Sequence, residues 1–248
     1  MTEISKTRLL SLLDPYLKEF QATAIATLIT EGADTLILDQ TFFHPQGGGQ
    51  DSDTGLFAWS KGSAEVVAVK EFGGVIHHIL RNMKGTINAG DLIKGTISWE
   101  RRYGLMRHHT ASHILWATFE KVLPKMEIIG SAVMADKGRF DIRTDREQLI
   151  KKLEEIEATA NKIVKENQQV KISMLTREEA LCVITKYGAS PSILPKGIDS
   201  IRIVEIGGWD ISACKGLHVK TTGEVGGIKI LGRTSKGKNV DRLEFAAV

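Results

Sequence analysis

The second part of this chain is organised around the stretch Arg107-His108-His109-Thr110-Ala111-Ser112-His113-Ile114-Leu115. It lies in an apolar run from Tyr103 to Leu123 whose spacing predicts a helix. The predicted buried positions are Leu105, Ile114, Trp116, Phe119 and Leu123. Residues four apart share one face of a helix, so His109 and His113 can direct both imidazoles at one point, as a metal ion requires.

A second pair with the same spacing follows far along the chain, in Cys214-Lys215-Gly216-Leu217-His218. Zinc takes four such ligands in tetrahedral array, and sulfur and imidazole favour zinc over magnesium or calcium. We therefore predict one zinc site formed by His109, His113, Cys214 and His218. His108 is the alternative to His109, but the residue four positions after His108 is Ser112, which offers no second imidazole.

The simpler alternative makes both histidines ordinary helix residues and Cys214 a core thiol. Two matching pairs in one chain favour the metal site over that alternative. Four ligands form a closed, structural site, whereas catalysis needs one position open to water or substrate. Which ligand would be loose or displaced is left open.

Composition limits the class of protein only broadly. The chain has 248 residues, a net charge of +3 and a pI near 8.8, a mild basic bias that is compatible with nucleic acid but common in enzymes. The 2 cysteines exclude a disulfide framework, and a thiolate ligand suits a reducing compartment. Met1 to Asp14 lacks the pattern of a secretory signal, and no apolar run approaches the roughly 20 residues of a membrane span. We expect a soluble, cytoplasmic protein with no membrane association and leave its oligomeric state open.

The first hundred residues show short, strand-like periodicity separated by glycine-containing turns. The predicted strands are Phe20–Leu28, Thr35–Leu38, Ala64–Val69, Gly74–Leu80 and Leu92–Trp99. This spacing predicts a small antiparallel barrel or sandwich, although Tyr16–Ala24 also fits a helical turn or two. Three glycines, Gly47 to Gly49, allow either a tight turn or close approach of a ligand, and they do not fit a phosphate-binding loop.

The remainder mixes helices with strands. A helix is predicted from Arg146 to Asn167, with Asp145 as its N-cap. A second helix is predicted after a capping box of Thr176 and Glu179. It should end near Tyr187-Gly188 and bury Cys182. The predicted strands are Arg139–Arg143, Val170–Leu175, Ser200–Ile206, Gly227–Leu231 and Asp241–Phe245. We predict an α+β protein in which an N-terminal barrel of residues 1–101 precedes a domain of residues 102–248 built on a mainly antiparallel sheet.

Several of these motifs resemble the editing domain of alanyl-tRNA synthetase. They are Trp99 to Arg102, Met106 to His113, Arg139-Phe140-Asp141, Asp210 to Val219, Thr222 to Gly226, and the glycine-rich segment Phe42 to Gly55. The resemblance covers nearly the whole chain. In this extent the chain is similar to the free-standing AlaX editing proteins of medium length.

This resemblance implies trans-editing, the hydrolysis of serine or glycine from mischarged tRNA(Ala). It implies Zn2+ on the four ligands predicted above, with His109 and His113 at the catalytic centre. It also assigns Gly47, Gly48, Gly49 and Gln50 to the editing pocket, and Ser131 to sensing the misacylated side chain. The family usually has Cys-Gly-Gly-Thr-His, so Lys215 and Leu217 depart from the pattern; Lys215 could contact RNA phosphate.

Further contacts to tRNA would come from basic residues, for each of which an ordinary solvated charge is the simpler interpretation. They are Arg101, Arg102, Arg107, Lys215, Lys220, Arg233, Lys236 and Lys238. Two other functions stay open: an RNA-binding module with a structural zinc, and a metal-dependent hydrolase of small esters.

Overall fold

The computed structural model describes residues 5–123, 125–187 and 194–248. Backbone contacts divide the chain into two compact units, Met1–Tyr103 and Gly104–Val248. The helices are α1 (Trp99–Val122), α2 (Arg146–Lys165) and α3 (Arg177–Lys186). The strands are β1 (Arg8–Leu9), β2 (Glu19–Thr30), β3 (Ala33–Leu38), β4 (Gln40–Thr41), β5 (Gly55–Trp59), β6 (Gly62–Phe72), β7 (Val75–Lys84), β8 (Leu92–Ile97), β9 (Met126–Val133), β10 (Gly138–Thr144), β11 (Val170–Thr176), β12 (Ser200–Ile206), β13 (Asp210–Ala213), β14 (Ile228–Gly237) and β15 (Val240–Ala247). Among these helices, none is long and apolar enough to cross a membrane.

The first unit contains a closed barrel with strand order β2-β3-β7-β6-β5-β8, all neighbours antiparallel. The predicted barrel is confirmed. Side chains alternate along each strand, and in β7 the residues Ile76, His78 and Leu80 point into the buried interior. The predicted strand Phe20–Leu28 is confirmed, since β2 is a strand from Glu19 onward and the helical alternative for Tyr16–Ala24 is wrong there. The last predicted strand is too long, because β8 ends at Ile97 and Trp99 begins α1.

The glycine-rich segment forms a two-residue hairpin turn. Gly47 and Gln50 exchange both backbone hydrogen bonds, of 3.1 and 2.9 Å. Gly48 and Gly49 both have positive φ angles, of 58° and 83°, which side-chain-bearing residues adopt rarely. The tight-turn interpretation is therefore confirmed, and it explains why glycine occupies both central positions.

His78 makes the stability of the barrel depend on pH. Its Nε2 lies 2.9 Å from the Thr41 hydroxyl and its Nδ1 2.9 Å from the Leu36 carbonyl, and burial lowers its pKa from 6.5 to about 4. A histidine that is harder to protonate in the folded state stabilises the fold above pH 6.5, and this contribution is lost as the pH falls from 6.5 toward 4. At about 1.4 kcal/mol per pKa unit, we expect a loss on the order of 3 kcal/mol in the free energy of unfolding.

Urea unfolding of the full chain between pH 7 and 4 measures this loss, and His78→Gln should flatten the dependence whatever its effect at pH 7. His77→Gln on the same strand, where the ring is only partly buried, is the matched control and should keep most of it. An unchanged pH dependence in His78→Gln would contradict the assignment.

The second unit contains two antiparallel sheets. One has four strands in the order β14-β15-β10-β9, and the other has three in the order β11-β12-β13. The predicted α+β class is confirmed. Asp145 caps α2 by accepting the Gln148 N–H, and Thr176 and Glu179 form the predicted capping box of α3. The predicted end of α3 falls partly at Gly188, outside the described residues.

Two predicted burials are wrong. Cys182 is exposed because α3 turns Ala180 and Ile184 toward the core, and residue 182 lies on the opposite face. Trp116 on α1 is also exposed, over 38% of its surface. Residue type and helical spacing alone do not determine which residues at the margin of an apolar helix face are covered by neighbouring elements.

Candidate metal centre

Four ligand atoms, one each from His109, His113, Cys214 and His218, lie within 4.8 Å of one another. The Cys214 sulfur is 3.5 Å from Nε2 of His109 and 3.5 Å from Nε2 of His218. Tetrahedral zinc with nitrogen at about 2.05 Å and sulfur at about 2.3 Å separates such ligand atoms by about 3.5 Å. The donor set and its spacing therefore fit zinc.

Helix α1 supplies two of the four side chains from successive turns. The rings of His109 and His113 have centroids 5.3 Å apart, and each lies within 5 Å of the His218 ring, at 4.6 and 4.7 Å. The rival, His108, is occupied elsewhere: Nδ1 lies 2.7 Å from the Gly104 carbonyl, and Nε2 accepts the Ala247 N–H at 3.0 Å. The preference for His109 over His108 agrees with this geometry.

Two polar side chains orient the imidazoles, and neither was predicted. The Asp210 carboxylate lies 2.7 Å from Nδ1 of His113, and the Thr110 hydroxyl lies 3.1 Å from Nδ1 of His218. Each contact holds the Nδ1 side of a ring, so Nε2 is the nitrogen turned toward the cluster. Asp210 precedes Cys214 by four residues, and this proximity in sequence to a predicted ligand is the signal that could have indicated its role.

Cys214 follows β13 in a segment without regular structure, so its spacing to His218 is not helical. The sulfur accepts the Gly216 N–H at 3.2 Å. Arg202 fixes the backbone here, since its Nη1 donates to the Cys214 carbonyl at 2.6 Å and its own carbonyl accepts the Cys214 N–H at 3.1 Å. Leu217, which departs from the family motif, is fully buried, and Lys215 is exposed.

The charges within the cluster favour a cation. Burial raises the pKa of the Cys214 thiol, but His109 and His113 outweigh it and hold that pKa well below its usual value. Burial lowers the pKa of His113, yet Asp210 and the Cys214 sulfur raise it to about 10. Burial, above all, lowers the pKa of His218 to about 3. A divalent ion at this point would place further positive charge beside the sulfur, whose pKa these neighbours already lower.

The other predicted site residues lie on separate elements. Ser131 is exposed on β9 directly opposite Phe140, so it shares the face of the sheet on which Phe140 meets Phe119 of α1. Strand β9 runs through Gly130 and Ser131 with one bulge against β10. Gly47, Gly48 and Gly49 are exposed in the turn of the first unit, and Gln50 beside them is buried.

Two of the basic residues considered for RNA have structural roles instead. Arg102 is fully buried and pairs with Asp53. Arg107 donates to the carbonyls of Val225 at 2.7 Å and Val248 at 2.9 Å. Arg102 therefore offers no surface to a ligand, and the guanidinium of Arg107 connects α1 to the backbone at Val225 and Val248.

Two family models match the chain. Residues 201–244 match the threonyl and alanyl tRNA synthetase second additional domain, and residues 15–101 match tRNA synthetases class II (A). Alanine–tRNA ligase of Ignicoccus hospitalis is 40% identical over 239 residues, which are 94% of this chain and 25% of the ligase. The ligase of Saccharolobus islandicus is 38% identical over all of this chain and 27% of its own length. The chain thus spans about a quarter of these ligases.

Both units are therefore of a class found in aminoacyl-tRNA synthetases. The alanyl-tRNA editing protein AlaX-M of Methanosarcina acetivorans is 38% identical over 248 residues, covering 96% of this chain and 98% of that protein. That of Methanosarcina mazei is 39% identical, with 97% and 96% covered. The chain belongs to the AlaX-M family.

Proposed function

We propose that this protein is a cytoplasmic, trans-editing aminoacyl-tRNA deacylase that hydrolyses Ser-tRNA(Ala) and Gly-tRNA(Ala) at a zinc site. One observation carries the proposal: His109, His113, Cys214 and His218 converge in a chain that matches AlaX-M over nearly its whole length. In the reaction, the oxygen of water bonds to the ester carbonyl carbon, and the bond from that carbon to the ribose oxygen breaks. One proton of the water goes to the ribose oxygen and the other is released to solvent, so the amino acid leaves as its carboxylate.

With one of these four ligands displaced so that a position is open, zinc would polarise the ester carbonyl and lower the pKa of a coordinated water toward about 7. The chain's own residues orient the centre. Asp210 and Thr110 fix the rings of His113 and His218, and Arg202 fixes the backbone at Cys214.

Selectivity for serine or glycine is assigned to groups other than the metal ligands. Serine differs from alanine by one hydroxyl, which the amino-acid pocket of a synthetase rejects only weakly. A second, hydrolytic site is therefore needed. We assign to Ser131 the sensing of the misacylated side chain, since its hydroxyl lies on the α1-facing side of the sheet. Gly47, Gly48, Gly49 and Gln50 are assigned to substrate binding, where the exposed turn lets a ligand reach the backbone. Lys215 is exposed and is assigned to RNA phosphate.

A closed set of four donors also favours a second candidate, an RNA-binding module with structural zinc. Turnover separates the two. We expect the zinc-loaded protein to release serine and glycine from tRNA(Ala) and to leave Ala-tRNA(Ala) intact, and His109→Ala to stop release while the protein stays folded. Binding of tRNA without any release would instead support the structural-zinc module. Equal turnover of aminoacyl-adenosine without an acceptor stem would identify a small-ester hydrolase.

The contact between Asp210 and His113 should control metal affinity. Replacing a carboxylate that orients a metal-bound histidine typically weakens metal binding 10- to 100-fold, and we expect this range for Asp210→Asn. Competition with a chromophoric chelator measures the affinity. Asp199→Asn, at an exposed aspartate before β12, is the matched control and should bind zinc as the wild type does. Equal zinc affinity in the two variants would contradict the role given to Asp210.

A further inference from the structure

Trp116 is an exposed aromatic on the helix that carries two of the cluster's histidines. It is 38% exposed, whereas its neighbours Leu115 and Ala117 are at most 2% exposed. At 100° per residue, His109, His113, Trp116 and Glu120 fall within about 60° on a single stripe of α1.

The indole is held in one orientation. Its Nε1–H donates to the Glu120 carboxylate at 2.9 Å, and its ring meets Phe140 edge-on with centroids 6.1 Å apart and an interplanar angle of 83°. Phe140 is buried and itself packs on Phe119. A ring fixed at its nitrogen and its edge loses little entropy when a planar ligand stacks on it.

A surface cavity of about 330 Å³ lies beside this ring. Its lining consists of Trp116, Glu120, Leu123, Met126, Glu127 and Ile128. The walls combine apolar surface with the carboxylates of Glu120 and Glu127, of which Glu127 pairs with Arg143. A carboxylate accepts hydrogen bonds from an amine. An aromatic base with an exocyclic amine, such as adenine, matches these walls.

The spacing along α1 matches a nucleoside ester. Trp116 lies about 4.5 Å beyond His113 and about 10.5 Å beyond His109 along the helix axis. An ester on a ribose hydroxyl, placed at the cluster, would carry its base toward the indole. The cavity and the cluster therefore suit two ends of the same aminoacyl-adenosine.

We propose that Trp116 and Glu120 form the subsite for the terminal adenine of the RNA whose ester is cleaved at the metal cluster. The base stacks on the indole, and its exocyclic amine donates to the carboxylate oxygen of Glu120 that the indole does not use. The inference rests on the proposed function, because it takes the 3′ end of a tRNA as the ligand.

A double-mutant cycle tests the stacking without requiring turnover. The dissociation constants of the full-length wild type and of Trp116→Ala are measured for two uncharged acceptor-stem RNAs, one ending in CCA and one whose last nucleotide lacks its base. Because one stacked base commonly contributes on the order of 10-fold in affinity, the wild type should prefer the intact end by about that factor. Trp116→Ala should bind both RNAs alike, and Trp116→Phe should keep part of the preference.

The control is Phe72→Ala, which removes an exposed aromatic in the barrel and should keep the full preference. On charged RNA, Trp116→Ala should raise KM about 10-fold and leave kcat nearly unchanged. A wild type that deacylates Ser-tRNA(Ala) but binds the two ends equally would overturn the subsite and leave the proposed function standing. A preference retained in full by Trp116→Ala would overturn it as well.

The role of Glu120 has its own readout. Glu120→Gln keeps one acceptor for the indole but replaces the second oxygen with a donor group. The wild type should bind a terminal adenine more tightly than a terminal unsubstituted purine, and Glu120→Gln should lose that difference. Wild-type protein that does not distinguish the two bases would contradict the contact to the exocyclic amine.

Discussion

Cys214→Ala is expected to remove both the bound metal and the deacylase activity. Cys214 supplies the sulfur of the cluster, and its replacement leaves three imidazoles around one point. Since loss of a residue that merely orients a ligand costs 10- to 100-fold, loss of a direct ligand should lower kcat/KM on Ser-tRNA(Ala) by more than about 100-fold. Metal analysis of the purified protein and initial rates of serine release measure the two effects.

Cys182→Ala is the matched control. The chain has 2 cysteines, and Cys182 is exposed on α3. An exposed position away from a cap or ion pair usually changes stability by less than about 0.5 kcal/mol, so this variant should keep its metal and its activity. If Cys214→Ala retained both properties as fully as Cys182→Ala does, the sulfur could not be a ligand.

Arg102→Met is expected to destabilise the first unit strongly. Arg102 and Asp53 are both fully buried, and two guanidinium nitrogens meet the two carboxylate oxygens at 2.8 and 2.5 Å. Arg102 also donates to the carbonyls of Pro15 and Phe42. Removing one partner of such a pair leaves a buried charge uncompensated, which typically costs 3–5 kcal/mol. Urea unfolding should show a loss of about that size.

Arg101→Met is the control for this prediction. Arg101 precedes Arg102 in α1 and pairs with Asp51 at 3.2 Å, but both side chains are about one-third exposed. Pairs of this kind contribute about 0–1 kcal/mol, so the loss should be small. The double variant Arg102→Met with Asp53→Leu should recover part of the stability, because no lone charge remains. Equal losses from Arg101→Met and Arg102→Met would contradict the role of burial.

The metal cluster was predictable from residue types more than from geometry. The helical spacing of His109 and His113 indicated one half correctly. The spacing of Cys214 and His218 has another origin, since that segment is irregular and Thr110 and Arg202 hold it in place. The Thr110 contact joins residues 108 positions apart, and no local pattern predicts it.

The barrel was predictable where alternation was clear. Strand β5 was not, because exposed Leu56 lies between positions that face the interior and makes the segment read as a continuous apolar run. Arg102 was considered for RNA because charge alone does not reveal burial, and its partner Asp53 is far away in sequence. Trp116 was predicted to be buried for the opposite reason, since apolar character does not reveal exposure.

The most direct test of the account is to remove and restore the metal while following deacylation. Purified protein should contain about one zinc per chain and release serine from Ser-tRNA(Ala). Chelation should abolish release, and zinc should restore it, with Ala-tRNA(Ala) intact throughout. Full deacylation of Ser-tRNA(Ala) by protein shown to be free of metal would contradict the account.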